Sequence, residues 1–122
     1  MLPFITEIDG PEGLRSVLNN NPGLVIIKFG ATWCGPCKKI ESQVHFWMNG
    51  SPNKVQCCII DIDDNFELYG FLKTKKMING IPGIMCWKKD NVNYIPDDVV
   101  IGADPQEIDL FFQRCSKIIV SM

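Results

Sequence analysis

Cys34 and Cys37, three residues apart, are the one pair among six cysteines whose spacing carries chemistry of its own. A thiolate, not a thiol, attacks a disulfide, and its best attack comes when it titrates near ambient pH. If a helix opens at the pair, the sulfur of Cys34 lies beside unpaired backbone N–H groups at the positive end of the helix dipole, which favours the ionised form. Cys37, one turn further in, can reach Cys34 while more shielded from water, and so can resolve a mixed disulfide within the chain. Gly35 lets the backbone turn tightly, and Pro36 gives up an N–H that has no intrahelical partner there. Zinc is the competing use of such a pair, but a closed site needs about four ligands. The adjacent Cys57 and Cys58 and the single His45 supply no second matching pair.

This chemistry requires a strand leading into a helix, and the surrounding pattern predicts that. Residues 24–29 form a near-continuous β-branched and aromatic run, the signature of a strand covered on both faces. Residues 34 to about 48 follow with partly helical apolar spacing and stop at Asn49, Gly50, Ser51 and Pro52. A short apolar lead at 4–8 and a helix across 11–18 precede this unit. A second buried strand at 55–62 and a helix over 66–72 continue it. Helical crossovers favour parallel pairing with helices on both faces of the sheet. Beyond Pro82, residues 83–87 and 99–101 read as a hairpin around a polar connection, 88–98. Asp104 caps a last helix, with Pro105 first and Glu107 third, whose apolar residues are Ile108, Leu110, Phe111, Phe112 and Cys115. The expectation is one α/β unit over residues 1–122, built on a central mixed sheet.

The 122 residues carry 12 basic and 14 acidic side chains, a net charge of −2. With no basic excess to neutralise phosphates or anionic lipid, nucleic acid and membrane surfaces are not expected partners. No apolar stretch approaches the ~20 residues that span a bilayer, and the first nine residues lack a basic leader, so a cytoplasmic place is expected. Cys57, Cys58, Cys86 and Cys115 sit inside apolar runs and are expected to be small core residues.

The stretch Phe29, Gly30, Ala31, Thr32, Trp33, Cys34, Gly35, Pro36, Cys37, Lys38 closely resembles the active-site segment of the thioredoxin family. Ile62, Asp63, Asp64, Asn65 is similar to the end of that family's third strand. Ile78, Asn79, Gly80, Ile81, Pro82 resembles its substrate-side loop, and Ile101, Gly102, Ala103 its last turn before the terminal helix. The resemblance covers nearly the whole chain and implies the thioredoxin fold, with a cis peptide bond before Pro82 facing the two cysteines. It implies protein-disulfide reduction without metal or organic cofactor, and re-reduction by a flavoprotein of the thioredoxin-reductase type using NADPH. A monomer is expected. Trp33, Gly35, Pro36, Lys28 and Pro82 would support the catalytic Cys34 and Cys37. Ile62, Gly80, Ile81, Ile101, Gly102 and Ala103, with Trp33 and Pro82, would line an apolar groove where a substrate strand pairs beside Ile81. On their own, those apolar residues read as ordinary core.

The chain departs from the family pattern at several positions. Lys28 stands where relatives usually carry a buried Asp, and Ile59 where they often carry its Lys partner. An isolated buried cation must find a partner or reach water, and Asp61, two residues beyond Ile59 on the same strand face, is the expected partner. A charged Lys28 would favour thiolate at Cys37 and stabilise the reduced form; alternatively its stem packs while its head reaches solvent. Ser42 replaces a helix-kinking Pro, which predicts a straighter helix, and Gly30 replaces a Trp, which predicts a more open pocket. The loop 91–98, with Tyr94 and Pro96, is longer than usual and reads as a tolerated surface insertion. His45, about two turns past Cys37, is expected to lie at the surface or to pack rather than to catalyse. Two other functions remain open: an interaction module of this fold with weak turnover, and an oxidase or isomerase.

Overall fold

The computed structural model describes all of residues 1–122. In chain order the elements are α1 (Gly10–Asn19), β1 (Leu24–Gly30), α2 (Gly35–Lys39), α3 (Glu41–Asn49), β2 (Val55–Asp61), α4 (Phe66–Thr74), β3 (Gly83–Lys88), β4 (Asp98–Ile101) and α5 (Pro105–Val120). The strands form one sheet in the order β2-β1-β3-β4. β1 pairs parallel to β2 and antiparallel to β3, which in turn pairs antiparallel to β4. This is the mixed sheet of the thioredoxin fold. No helix is long and apolar enough to cross a membrane.

All seven residues of β1 are buried, because it lies second in the sheet with helices on both sides. Strand side chains alternate between faces, so β1 contributes to two cores. Val25, Ile27 and Phe29 join Leu14 and Leu18 of α1 and Leu68 and Leu72 of α4. Leu24 and Ile26 point the other way, onto Val44 and Met48 of α3 and Ile108, Phe111 and Cys115 of α5. Lys28 shares this second face. The four cysteines outside the pair are all buried and free: Cys58 packs in the first core, and Cys57, Cys86 and Cys115 in the second.

Each terminal element is tied locally. The 4–8 lead contributes Ile5, whose N–H donates to the Cys57 carbonyl at 3.1 Å while its own carbonyl accepts from Ile59 at 2.9 Å, partly covering the outer edge of β2. The Asp104 carboxylate caps α5 by accepting from the Gln106 N–H at 3.0 Å. Arg114 of α5 pairs with Asp98 of β4 at 2.6 Å. Asp109 accepts from Gln43 at 2.8 Å and from the Trp47 indole at 3.1 Å, and Trp47 stacks on Phe112, locking α3 to α5.

The long connection after β3 is an ordered flap. The buried Trp87 indole donates to the Asn93 carbonyl at 2.9 Å, Asp97 accepts from the Lys88 N–H at 2.7 Å and from Asn91 at 3.0 Å, and Tyr94 sits edge-on to Phe71 of α4.

One expectation is overturned. The helix that opens at the cysteine pair is not straight but breaks at Ile40, whose φ of −103° and ψ of 1° end α2 and start α3. No proline is needed. Ile40 is fully buried, and Cys37, Ile40, Val44 and Met48 bury their side chains on one side of the two segments, at the spacing of three and four residues that one helical face requires.

Candidate active site

The topology gathers the site at one end of the sheet. The C-terminal ends of β1 and β2 and the N-terminal end of β3 meet there, with Phe29 opposite both Ile60 and Gly83. The Ile62 N–H donates to the Gly30 carbonyl at 2.9 Å, and the Gly102 N–H donates to the Pro82 carbonyl at 2.8 Å. Ile62, Pro82 and Gly102 are thus fixed beside the stretch that carries the cysteines. The Ile81–Pro82 peptide is cis. Gly102 has φ +104°, a conformation that glycine tolerates and other residues rarely adopt. Ile62 and Ile81 are half-buried against the α1/α4 core and Ala103 against the α3/α5 core, while Ile101 is exposed.

Cys34 is the N-cap of α2 and Cys37 lies in its first turn. Their sulfurs are joined as a disulfide, with Cα atoms 5.2 Å apart. The Cys37 N–H donates to the Cys34 sulfur at 3.2 Å, the contact that would stabilise a thiolate there. Pro36 has no N–H to offer, so Cys37 is the first residue past the spacer that can make this bond beside Gly35. Both sulfur-bearing residues are largely covered, Cys34 at 5% exposed and Cys37 at 3%. The difference in shielding between them is therefore small. Trp33 covers the approach: it is 65% exposed, and its indole donates to the Asp63 carboxylate at 2.8 Å. Asp63 in turn donates its N–H to Asp61 at 2.8 Å.

Lys28 is 5% exposed and faces Cys37 across the space left by Gly30. A methyl group added at Gly30 would lie 3.5 Å from the Cys37 sulfur and 3.7 Å from Cε of Lys28. A cavity of about 360 Å³ opens there, lined by Lys28, Gly30, Cys37, Lys38, Glu41 and Asp61 among others. Lys28 makes no ion pair, and no side-chain nitrogen or oxygen is buried without a partner, so its ammonium touches the cavity. Burial pulls its pKa below the ordinary lysine value, and the charge of Glu41 partly opposes that. The expected pairing with Asp61 is therefore not made, and Glu41 is the carboxylate whose charge is felt at Lys28. Asp61 does line the cavity on the expected strand face, but its carboxylate is spent on the Asp63 N–H. Ile59 pairs opposite Lys28, as the missing charge pair requires.

Sequence reasoning passed over Glu41 and the role of Asp63. Glu41 lies beyond the break at Ile40, so it reaches the cavity through the packing of α3 and not through helical spacing from Cys37. The Trp33–Asp63 bond crosses 30 residues and had no local signal. The remaining thiols are poor nucleophiles. Burial pushes Cys57 and Cys58 up, and Cys115 is raised by its hydrogen bond with Cys86 and by burial. No three His, Cys, Asp or Glu side chains are grouped to hold a metal ion.

Fold and site together define a thioredoxin-fold chain bearing a redox-active type of disulfide at a helix start. The thioredoxin family model matches residues 8–113, most of the chain, and the protein belongs to that family. It is 26% identical over 106 residues to mitochondrial thioredoxin of Mus musculus, covering 87% of this chain but 59% of that relative. Against thioredoxin of Staphylococcus haemolyticus it is 29% identical over 103 residues, covering 84% of this chain and 86% of that one. The solved structure of Trichomonas vaginalis thioredoxin superposes with a TM-score of 0.70 at 25% identity, covering 90% of this chain and 96% of the other. The chain thus spans less than two thirds of some of the curated relatives that it matches.

Proposed function

We propose that this chain is a thiol–disulfide oxidoreductase that reduces disulfides in other proteins. The observation that carries this reading is the joined Cys34–Cys37 pair at the start of α2, with the Cys37 N–H aimed at the Cys34 sulfur. In the reduced form, Cys34 thiolate attacks a substrate disulfide and displaces one substrate sulfur as thiolate. Cys37 then attacks the Cys34 side of the mixed disulfide, releases the second substrate sulfur, and leaves the pair oxidised. Trp33, Pro82 and the groove formed by Ile62, Gly80, Ile81, Ile101, Gly102 and Ala103 receive the substrate, whose extended backbone pairs beside Ile81. Gly35 and Pro36 shape the turn.

Residues 1–122 act as one unit and as a monomer. Electrons return from a flavoprotein of the thioredoxin-reductase type, and the cycle serves cell redox homeostasis. A reducing compartment such as the cytoplasm suits four unpaired core cysteines. Lys28 is a supporting residue: its ammonium, beside Cys37, favours the Cys37 thiolate and with it the reduced pair.

Turnover of insulin disulfides with dithiothreitol tests this proposal. A rate well above the uncatalysed control is expected, with Cys34→Ser inactive and Cys37→Ser accumulating a mixed disulfide. The buried cation next to Cys37 favours one second reading, an interaction module of the same fold with poor turnover, and a rate equal to the uncatalysed control would establish it instead. Equilibration with glutathione separates a reductase from an oxidase or isomerase.

A further inference from the structure

When Cys37 resolves the mixed disulfide its thiol must lose a proton, and at 3% exposed it cannot hand that proton directly to bulk water. A cavity opens beside it, and its wall offers four ionisable side chains besides Cys37: Lys28 of β1, Lys38 of α2, Glu41 of α3 and Asp61 of β2. Two are cations, which cannot accept a proton while charged. Asp61 is held in its turn by the Asp63 N–H. Glu41 is exposed at the first turn of α3, makes no hydrogen bond to another residue, and is near enough for its charge to be felt at Lys28.

We propose that Glu41 is the positioning residue for proton release from Cys37: its carboxylate, acting through cavity water, takes the proton of the resolving thiol and passes it to solvent. The inference rests on the thiol–disulfide exchange proposed above. The step balances as follows. The proton of Cys37 goes by way of water to the Glu41 carboxylate; the Cys37 sulfur then attacks the Cys34 sulfur of the mixed disulfide. The Cys34–substrate bond breaks as the Cys34–Cys37 bond forms, and the substrate sulfur leaves with the electron pair as thiolate. Cys37 and Cys34 are together oxidised by two electrons and the substrate is reduced by two. Glu41 afterwards loses its proton to solvent. Lys28 stays cationic throughout and stabilises the transient Cys37 thiolate.

The test is single-turnover reduction of insulin, with formation and decay of the mixed disulfide resolved by acid quench and followed against pH in wild type, Glu41→Gln and Glu41→Asp. Because Glu41 is exposed and the substitutions are nearly isosteric, circular dichroism is expected to be unchanged. In wild type, decay of the mixed disulfide slows toward low pH. Glu41→Gln is expected to slow decay about 10-fold at neutral pH, less than the roughly 100-fold or more of a general base in direct contact because the proton passes through water, and to lose the low-pH limb, leaving mixed-disulfide formation by Cys34 unchanged. Glu41→Asp restores much of the rate and the limb. A Glu41→Gln decay rate and pH profile equal to wild type would overturn the relay while leaving the exchange reaction in place. Absence of insulin reduction by the reduced wild type, together with absence of a mixed disulfide in Cys37→Ser, would instead remove the exchange reaction itself, and the relay with it.

Discussion

Replacing Lys28 by Met keeps the aliphatic stem and removes the charge, which isolates what the cation does to the neighbouring thiol. The added-methyl distances at Gly30, 3.5 Å to the Cys37 sulfur and 3.7 Å to Cε of Lys28, bring the two groups within reach of a direct electrostatic effect. At a separation on the order of 7 Å and an effective dielectric constant of ~20, two unit charges interact by ~2 kcal/mol. That corresponds to about 1.5 pH units in the ionisation of Cys37. For a two-electron couple it is about 45 mV. The sign follows from which form is favoured. A cation stabilises thiolate, hence the reduced pair, so Lys28→Met ionises Cys37 at higher pH, and above that pH its potential is more negative than wild type. Lys28→Asp moves both further in the same direction. Because burial lowers the pKa of Lys28 itself, the difference between wild type and Lys28→Met fades on the alkaline side earlier than an ordinary lysine would allow. The assay is equilibration of the pair with reduced and oxidised dithiothreitol across pH 6–10, a window spanning ordinary thiol and lysine titration, read by alkylation and mass. Equal potentials and equal pH profiles in all three proteins would refute the reasoning. Removal of a buried charge without an ion pair also predicts a gain in stability for Lys28→Met, about 1 kcal/mol by urea unfolding.

Other perturbations test the fold around the site. In the folded, reduced protein, iodoacetamide is expected to label Cys34 first, with Cys57, Cys58 and Cys115 reacting only on unfolding, since each is buried and shifted upward; mass spectrometry of the labelled chain reads this. Those same thiols make stability fall with alkaline pH: neutral in the folded state but ionising when unfolded, they contribute stability fully present below the ordinary cysteine range and lost progressively as the pH rises from there toward their raised folded values. Lys28, shifted downward, works in the opposite sense and offsets part of the loss. Chemical unfolding at pH 7 and pH 10 should differ accordingly, and equal midpoints would contradict the shifts. Gly23→Ala would set a methyl 2.8 Å from the Lys54 carbonyl, a backbone atom that also accepts from Leu24, so a loss of roughly 1–3 kcal/mol is expected, whereas Gly80→Ala meets open space and should be near neutral. Trp33→Phe removes the indole bond to Asp63; turnover of protein substrates should fall severalfold with overall stability changed by less than about 1 kcal/mol, since the bond is exposed.

Residues 24–37 were legible in the linear chain because strand, turn and helix start there are set by neighbours: an apolar run long enough to be buried on both faces, a spacer of Gly and Pro, and two sulfurs one turn apart. The same local rules found the cap of α5 at Asp104, where carboxylate and recipient N–H are two residues apart. Other features depended on packing. The break at Ile40 had no signal in the apolar spacing, which is regular through Cys37, Ile40, Val44 and Met48. Register alone put Lys28 opposite Ile59, but that the charge of Glu41 rather than of Asp61 is felt there depends on where α3 packs. Electrostatic partners are chosen by distance through space and by desolvation. Both arise only when β1, β2 and α3 close around one cavity.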